Sequence, residues 1–248
     1  MVRDRRGSGP GKGPPSGPSG KDQRWYGRRT GRKLRPGRRS ALETVLPALR
    51  AADPAGTDAV DPRTLFGAEP RSVWMEIGFG AGEHLAAQAA AHPEIGFLGC
   101  EPFVNGVAAL IKRIEADGIR NIRLFDDDVR LLLPRLPEGS VERLYVLFAD
   151  PWPKTRHHRR RMTVPENLAQ FARILADGGL LVFASDQHDF AAWTLANALD
   201  NRDFHWQAAR AADWRTAPDG WVRTRYQEKA EGNGLQPAFL IFRRRRRA

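Results

Sequence analysis

The chain is constrained most by a repeating pattern between residues 73 and 199, in which short apolar runs alternate with amphipathic stretches. The runs have the length of buried strands, and the stretches place apolar side chains at the spacing of a helix. Such alternation is typical of a mostly parallel sheet with helices on both faces, so we predict an α/β fold. The predicted strands are 73–77, 96–100, 121–125, 144–148, 180–183 and 239–242, and the predicted helices are 41–49, 83–91, 104–117, 166–175 and 191–199.

Acidic residues stand at the ends of four predicted strands. Right-handed crossovers bring the carboxyl ends of parallel strands to one edge of the sheet, where ligands of open α/β folds bind. A solvated loop is the alternative explanation for any single acid, but four acids at one edge predict a site. The acids are Glu101, Asp126 to Asp128, Asp150 and Asp186.

A glycine loop, Glu76-Ile-Gly78-Phe-Gly80-Ala-Gly82, joins the first of these strands to the helix 83–91. Glu83 stands where the dinucleotide-binding fingerprint has its third glycine, and a carboxylate at a helix N-terminus repels a pyrophosphate. The loop is therefore predicted to approach a ligand other than a phosphate. The cationic amino-acid end of S-adenosylmethionine suits Glu76 and the glycine backbone, and a nicotinamide dinucleotide is the competing interpretation.

Two further acids fit the rest of S-adenosylmethionine. Glu101 follows Glu76 by 25 residues and ends a strand, where it could accept hydrogen bonds from ribose hydroxyls. Asp128 follows the next strand and could accept from the adenine amine. The loop and the two acids together predict this cofactor more specifically than the loop does alone.

The stretch Asp150-Pro151-Trp152-Pro153 follows the apolar run 144–148 and leads into a basic cluster, residues 154–161. Five cations and two histidines fall within those eight residues, which favours a polyanionic ligand beside Asp150. A solvated loop is the alternative for the cluster taken alone. His157 and His158 are adjacent, but with one cysteine and no carboxylate at ligand spacing we predict no metal site.

The net charge of +11 is concentrated at the chain ends. Residues 1–40 hold 13 Lys/Arg and 2 Asp/Glu, whereas residues 41–242 have a net charge of −5. Basic tails favour a nucleic-acid partner, with solubility as the alternative. We predict a disordered basic arm over 1–40, in which Trp25 and Tyr26 could order on RNA, a globular domain over 41–242, and a basic tail over 243–248.

The single cysteine, Cys100, excludes a disulfide framework and favours a reducing compartment. The sequence has no apolar run of membrane-spanning length and no apolar segment behind its N-terminal cations. We therefore expect a cytoplasmic protein without a membrane span, and leave monomer and homodimer open.

Four motifs resemble the bacterial tRNA (guanine-N7-)-methyltransferases, over a match from about Val73 to Arg243. Two positions depart from the family pattern: Ala149 replaces a usual proline, and Gln227, which can hydrogen-bond but carries no charge, replaces a glutamate. Glu228 is adjacent, but on an extended segment it would face the other way. The motifs are the glycine loop, Asp150-Pro151-Trp152-x-Lys154-x-Arg156-His157-x-Arg159-Arg160-Arg161, Ser185-Asp186, and Thr224-Arg225-Tyr226-Gln227-Glu228-Lys229.

The resemblance implies a Rossmann-like class I methyltransferase fold over 41–242. It implies methyl transfer from S-adenosylmethionine to N7 of a guanosine in the variable loop of tRNA, guanine 46 in tRNA numbering. The residues implied in cofactor binding are Glu76, Gly78, Gly80, Gly82, Glu101, Asp128 and Asp150, with Asp150 also catalytic. Those implied in substrate contacts are Lys154, Asp186, Thr224, Arg225, Tyr226 and Gln227, and those assigned to RNA phosphates are Arg156, Arg159, Arg160 and Arg161.

Guanine N7 has a lone pair and no proton, so its methylation needs no general base, and catalysis rests on positioning and electrostatics. Asp150 would favour the positive charge that guanine gains and could accept from its N1–H and 2-amino group, with Asp186 as the second candidate. Two other functions stay open. An S-adenosylmethionine-dependent enzyme acting on another RNA, a protein or a small molecule is one, and a non-catalytic RNA-binding protein is the other.

Overall fold

The computed structural model describes residues 26–248. The part of the predicted disordered arm that precedes Tyr26, and the predicted role of Trp25 in RNA stacking, lie outside the described residues. Within 26–248, no helix is both long enough and apolar enough to cross a membrane.

The fold is built on a seven-stranded sheet. Its strands are β1 (Ser72–Ile77), β2 (Ile95–Cys100), β3 (Ile122–Phe125), β4 (Val141–Leu147), β5 (Leu175–Ser185), β6 (Phe204–Trp206) and β7 (Ala238–Arg244). They follow the order β3-β2-β1-β4-β5-β7-β6. Strands β1 to β5 run parallel, whereas β7 runs antiparallel to β5 and β6. The predicted mostly parallel sheet is confirmed.

Helices cover both faces of this sheet. They are α1 (Pro36–Thr44), α2 (Leu46–Leu49), α3 (Glu83–Ala91), α4 (Val104–Asp117), α5 (Val129–Leu132), α6 (Pro165–Ile174), α7 (His188–Asp200), α8 (Ala212–Arg215) and α9 (Arg225–Gly232). Short 3₁₀ turns lie at Pro62–Leu65, Leu133–Arg135 and Thr155–Arg160. Helices α3 and α4 have the predicted bounds, whereas β6, α8 and α9 were not predicted.

The two faces of the sheet are sealed by separate apolar clusters. Alternate side chains of β1 enter different clusters: Met75 joins the one containing Phe171, and Trp74 joins the one containing Phe97 and Leu110. Because both faces are covered, the strands are buried along nearly their whole length, as expected for parallel strands. The loops at the strand ends therefore rest on a rigid support.

The described part of the N-terminal arm differs from the predicted disordered segment. Helix α1 begins at Pro36, before the predicted boundary at residue 41. The residues preceding it run along the start of α4, where the Asn105 side chain accepts from the Gly31 N–H and donates to the Arg32 carbonyl, both at 2.8 Å. Backbone groups of the arm thus find protein partners, and its order in this region requires no RNA.

The predicted basic tail is also corrected for two of its arginines. Arg244 is 6% exposed, and its Nε donates to the carbonyl of Ala172 at 3.0 Å. Arg247 donates through Nη2 to the carbonyls of Arg173 at 2.7 Å and Leu175 at 2.8 Å. These carbonyls lie at the C-terminal end of α6, where no intrahelical N–H is available to them. The two guanidinium groups therefore cap a helix.

We expect Arg244→Met to lower the free energy of unfolding by about 2 kcal/mol, because the variant removes the shorter of two guanidinium bonds to the Ala172 carbonyl and the ion pair with Asp203. The neighbouring and exposed Arg246 supplies the matched control, Arg246→Met, which should change stability far less. Chemical denaturation of the three proteins measures the difference. Equal stability of the two variants would contradict the capping role.

Candidate active site

A cavity of about 360 Å³ opens at the carboxyl edge of the parallel strands. Its walls come from the glycine loop, from the segments that follow β2, β3 and β4, and from the N-terminal arm. The predicted site residues that line it are Gly78, Gly80, Glu101, Asp128, Asp150, Arg160 and Tyr226. Those outside its lining are Glu76, Gly82, Lys154, Arg156, Arg159, Arg161, Asp186, Thr224, Arg225 and Gln227.

The glycine loop and helix α4 approach each other with no side chain between them. A Cβ atom on Gly106 would lie 2.1 Å from the carbonyl oxygen of Gly80, so this contact requires glycine. Gly78 and Gly80 line the cavity, whereas Gly82 precedes α3 and faces Leu110. The loop therefore offers backbone groups to a ligand.

The carboxylate of Glu101, 7% exposed, ties this loop to the end of β2. Its Oε2 accepts from the Gly80 N–H at 2.7 Å and its Oε1 from the Phe103 N–H at 2.9 Å. Burial raises the pKa of Glu101 to about 7, opposed by these hydrogen bonds and reinforced by the charges of Asp150 and Glu76. Each oxygen accepts one bond here, and a carboxylate oxygen has two lone pairs, so both could still accept from a ligand.

Glu76 lies behind the glycine loop. It is 4% exposed, and its Oε2 is 2.7 Å from Nδ1 of His84 in the first turn of α3. The centre of the His84 ring lies 4.8 Å from that of Tyr145 and 5.3 Å from that of Trp221. Sequence reasoning missed His84, although a histidine at the start of an Ala-rich helix, eight residues after Glu76, was a usable signal.

The acids that follow β3 are paired with arginines. Asp126 accepts from Arg50 at 2.7 Å and 2.8 Å. Asp128 caps α5 by accepting from the Arg130 N–H at 3.0 Å, and it also pairs with the Arg130 guanidinium. An adenine amine at Asp128 would therefore share this carboxylate with Arg130.

The turn that carries Asp150 is strained on both sides. Phe148 and Trp152 have φ angles of 50° and 44°, in the left-handed region that bulky residues rarely adopt. Strained backbone of this kind concentrates at functional sites, where the surrounding structure holds it. The exposed Asp150 between them lines the cavity.

The basic cluster, residues 154–161, forms a 3₁₀ turn that divides its cations. Lys154, Arg156 and Arg159 are exposed. Arg160 lines the cavity, with its guanidinium 5.0 Å from the ring centres of both Tyr26 and Trp152. The exposed cations remain available to an RNA, whereas Arg160 belongs to the cavity wall.

The prediction that Arg161 contacts an RNA phosphate is wrong for this structure. Its side chain is 1% exposed and bonds to Pro151 and Asp189, so it presents no donor at the surface. Arg161 directly follows the 3₁₀ turn, and its side chain lies beneath the Asp150 turn.

The segment 224–227 is the start of helix α9, and the extended conformation predicted for it is wrong. Thr224 is the N-cap and accepts from the Gln227 N–H at 3.2 Å. The Gln227 side chain accepts from Trp221 Nε1 at 2.6 Å and donates to Glu231 at 2.8 Å. The Thr-x-x-Gln spacing is a capping-box signature that could have revealed this helix.

Two side chains of α9 reach the glycine loop. Tyr226 is 44% exposed and lines the cavity beside Gly80. Arg225 lies 3.7 Å from the Glu83 carboxylate and donates to the Tyr226 hydroxyl at 3.1 Å.

Two residues predicted to contact RNA, Asp186 and Tyr26, differ in their position relative to the cavity. Asp186 accepts from the Gln187 side chain at 2.9 Å and stands outside the cavity lining. Tyr26 lines the cavity, where its ring packs edge-on against Trp152 and lies 5.1 Å from the Arg130 guanidinium. Within residues 26–248, no group of three or more His, Cys, Asp or Glu side chains could hold a metal ion.

Comparisons with known proteins bear on this site. The family model described as "Putative methyltransferase" matches residues 70–238. A tRNA (guanine-N(7)-)-methyltransferase of Rhodospirillum rubrum is 52% identical over 92% of this chain and 90% of the relative. One of Nitrobacter hamburgensis is 46% identical over 89% and 86%. TrmN from Thermus thermophilus, 16% identical with a TM-score of 0.50 over 71% of this chain and 44% of that chain, shares the fold.

Glu101 makes the stability of the chain depend on pH. Its pKa, about 7 when folded, lies above the value near 4.5 of an unburied glutamate, so the folded chain binds more protons between these values. The contribution of Glu101 to the free energy of unfolding is therefore greatest below about pH 4.5. It falls as the pH rises towards 7, by about 3 kcal/mol at most.

We expect Glu101→Gln to remove this dependence. The melting temperature of the variant relative to wild type should rise between pH 5 and pH 8, measured by calorimetry. The exposed Glu43→Gln serves as the control and should give a constant difference. If the difference in melting temperature for Glu101→Gln were also constant with pH, the raised pKa of Glu101 would be contradicted.

Proposed function

The chain belongs to the bacterial tRNA (guanine-N7-)-methyltransferase family, and from this premise we propose that it methylates N7 of guanosine 46 in the variable loop of tRNA, with S-adenosylmethionine as donor. It has the Rossmann-like class I methyltransferase fold predicted from the sequence. The observation that carries the proposal is one cavity that joins the glycine loop and Glu101 on one side to Asp150 and the basic cluster on the other. We propose the cytoplasm as its compartment.

The cavity suits S-adenosylmethionine by size and by chemistry. Ligand cavities commonly start at about 300 Å³, and the glycine loop leaves its backbone open to the cofactor's amino-acid end. Lone pairs of Glu101 match ribose hydroxyls, and the acid Asp128 lies where an adenine amine could donate. Glu76 and His84 support the loop from behind, and Glu76 adds negative charge there.

The reaction requires little covalent chemistry from the protein. When bound, S-adenosylmethionine supplies a methyl group on a positively charged sulfur. Guanine N7 carries a lone pair and no proton, so the residues of the site act through position and electrostatics. Asp150 stabilises the positive charge that the guanine ring gains, and it accepts hydrogen bonds from the N1–H and the 2-amino group. Tyr226 and Trp152 offer flat apolar surfaces beside it.

The RNA backbone is held by the exposed side of the basic cluster. Lys154, Arg156 and Arg159 project from the 3₁₀ turn next to the cavity, and phosphate contacts of this kind fix the register of an RNA without reading its sequence. Arg160 stays in the cavity wall, so its contact with an RNA would be to the target nucleotide. Arg225 extends the basic surface from α9.

The proposal is tested by incubating the purified chain with S-adenosylmethionine and a tRNA transcript, then mapping N7-methylguanosine by mass spectrometry of nuclease fragments. We expect the modification at position 46 and none in a transcript with adenine there. Modification elsewhere in the tRNA would contradict the position. Unmodified tRNA despite cofactor binding would contradict the function and favour a non-catalytic RNA-binding protein.

Asp150→Asn is the variant matched to this assay, because it keeps the shape of the side chain and removes its charge. We expect kcat to fall by about 10²-fold, the scale of losing one electrostatic contact to a developing charge. Affinity for tRNA, measured by filter binding, should stay within a few-fold. Wild-type kcat in this variant would remove Asp150 from the mechanism.

Arg156→Gln and Arg159→Gln should each weaken tRNA binding and make it less dependent on salt. Each lost phosphate contact should lower the slope of log K against log salt concentration by about 0.7 to 0.9. Fluorescence titrations between 50 and 300 mM salt, roughly the range where such slopes are linear, measure this. The exposed Arg113→Gln on α4 is the control, and an equal loss of slope in it would contradict a localised RNA surface.

A further inference from the structure

Arg161 is among the most buried large side chains of the described chain. Its Nε donates to the carbonyl of Pro151 at 2.8 Å, and its Nη2 donates to Oδ2 of Asp189 at 2.7 Å. The guanidinium also lies 5.0 Å from the ring centre of Phe190 and 5.1 Å from that of Trp193. A buried guanidinium is costly to desolvate, so it persists where contacts of this number and geometry fix one orientation.

The Pro151 carbonyl belongs to the strained turn around Asp150. Proline has no N–H, so this carbonyl is the one backbone group through which residue 151 can be anchored by a hydrogen bond. On the other side of Asp150, the Phe148 N–H donates to the carbonyl of Ala184 at 2.8 Å. The turn is thus held at two points, by strand β5 on one side and by Arg161 on the other.

The second partner of Arg161 lies in a helix. Asp189 stands in the first turn of α7, three residues after Asp186, and its side chain is 58% exposed. The guanidinium therefore joins the turn that carries Asp150 to the N-terminal end of α7. Asp150 is the acid proposed to face the guanine.

We infer that Arg161 is a positioning residue that holds the Asp150 turn in place by clamping the Pro151 carbonyl to Asp189 of α7. The inference rests on the proposed function, because it takes Asp150 as the group that contacts guanine. Methionine at residue 161 keeps the volume and loses both bonds. Lysine keeps the charge but lacks the planar fork, so it can restore the clamp only in part.

Kinetics of methyl transfer distinguish a positioning role from an RNA contact. A misplacement of about 1 Å in an active site can cost 10²-fold in rate. We therefore expect Arg161→Met to lower kcat by about 10- to 100-fold with the KM for tRNA within about threefold of wild type. Arg161→Lys should recover part of kcat. The variant Arg159→Gln, at an exposed position, should show the opposite pattern, with a raised KM for tRNA and a smaller change in kcat.

Hydrogen exchange supplies a readout that does not need activity. In full-length Arg161→Met and Asp189→Ala, the amides of residues 148, 149, 150 and 152 should exchange at least about tenfold faster than in wild type, whereas those of β1 should not change. Arg159→Gln should match wild type. Because Asp189 is more than half exposed and alanine offers no acceptor, Asp189→Ala decides the outcome if Arg161→Met loses its cooperative melting transition.

The inference is overturned if Asp189→Ala and a folded Arg161→Met keep wild-type exchange in the turn. It is also overturned if exchange accelerates while kcat stays at the wild-type value. If the wild-type chain forms no N7-methylguanosine, the proposed function fails, and the exchange rates alone then establish or refute the clamp.

Discussion

The cavity depends on the two hydrogen bonds that the buried carboxylate of Glu101 accepts from the backbone. The carboxylate accepts from the backbone of the glycine loop and from the residue that precedes α4, so the loop, the end of β2 and the start of α4 meet on one side chain. The contact forms because Gly106 lets α4 approach the loop directly. Burial raises the pKa of Glu101 to about 7. The same geometry that shapes the cavity therefore lowers the free energy of unfolding as the pH rises from about 4.5 towards 7. Hydroxyl donors of a ligand would offset that cost.

Some arginines of the chain are exposed at the surface, whereas others stabilise the fold. Several cations that look alike in the sequence cap helix ends, pair with acids at the cavity, or lie beneath a turn, as Arg244, Arg130 and Arg161 do. Three cations of the basic cluster, Lys154, Arg156 and Arg159, are exposed beside the cavity. The position of the basic cluster, more than the net charge, therefore defines the surface offered to RNA.

Much of this architecture could be predicted, since periodic burial fixes strands and long helices. The bounds of α3 and α4 followed from apolar spacing and from Gly118. Burial of Arg161 near the exposed Arg159 could not be predicted, because it depends on tertiary contacts that Arg161 makes after the 3₁₀ turn ends. The pairing of Glu76 with His84 likewise depends on tertiary packing around the first turn of α3.

The strand order has a consequence for how the chain folds during synthesis. Strand β7, the last to leave the ribosome, lies between β5 and β6. Until it arrives, β5 presents an open edge and β6 has no strand to pair with, a condition that favours association with other chains. A messenger truncated before Ala238 would thus yield a protein with an incomplete sheet, although nearly every residue of the cavity had already been translated.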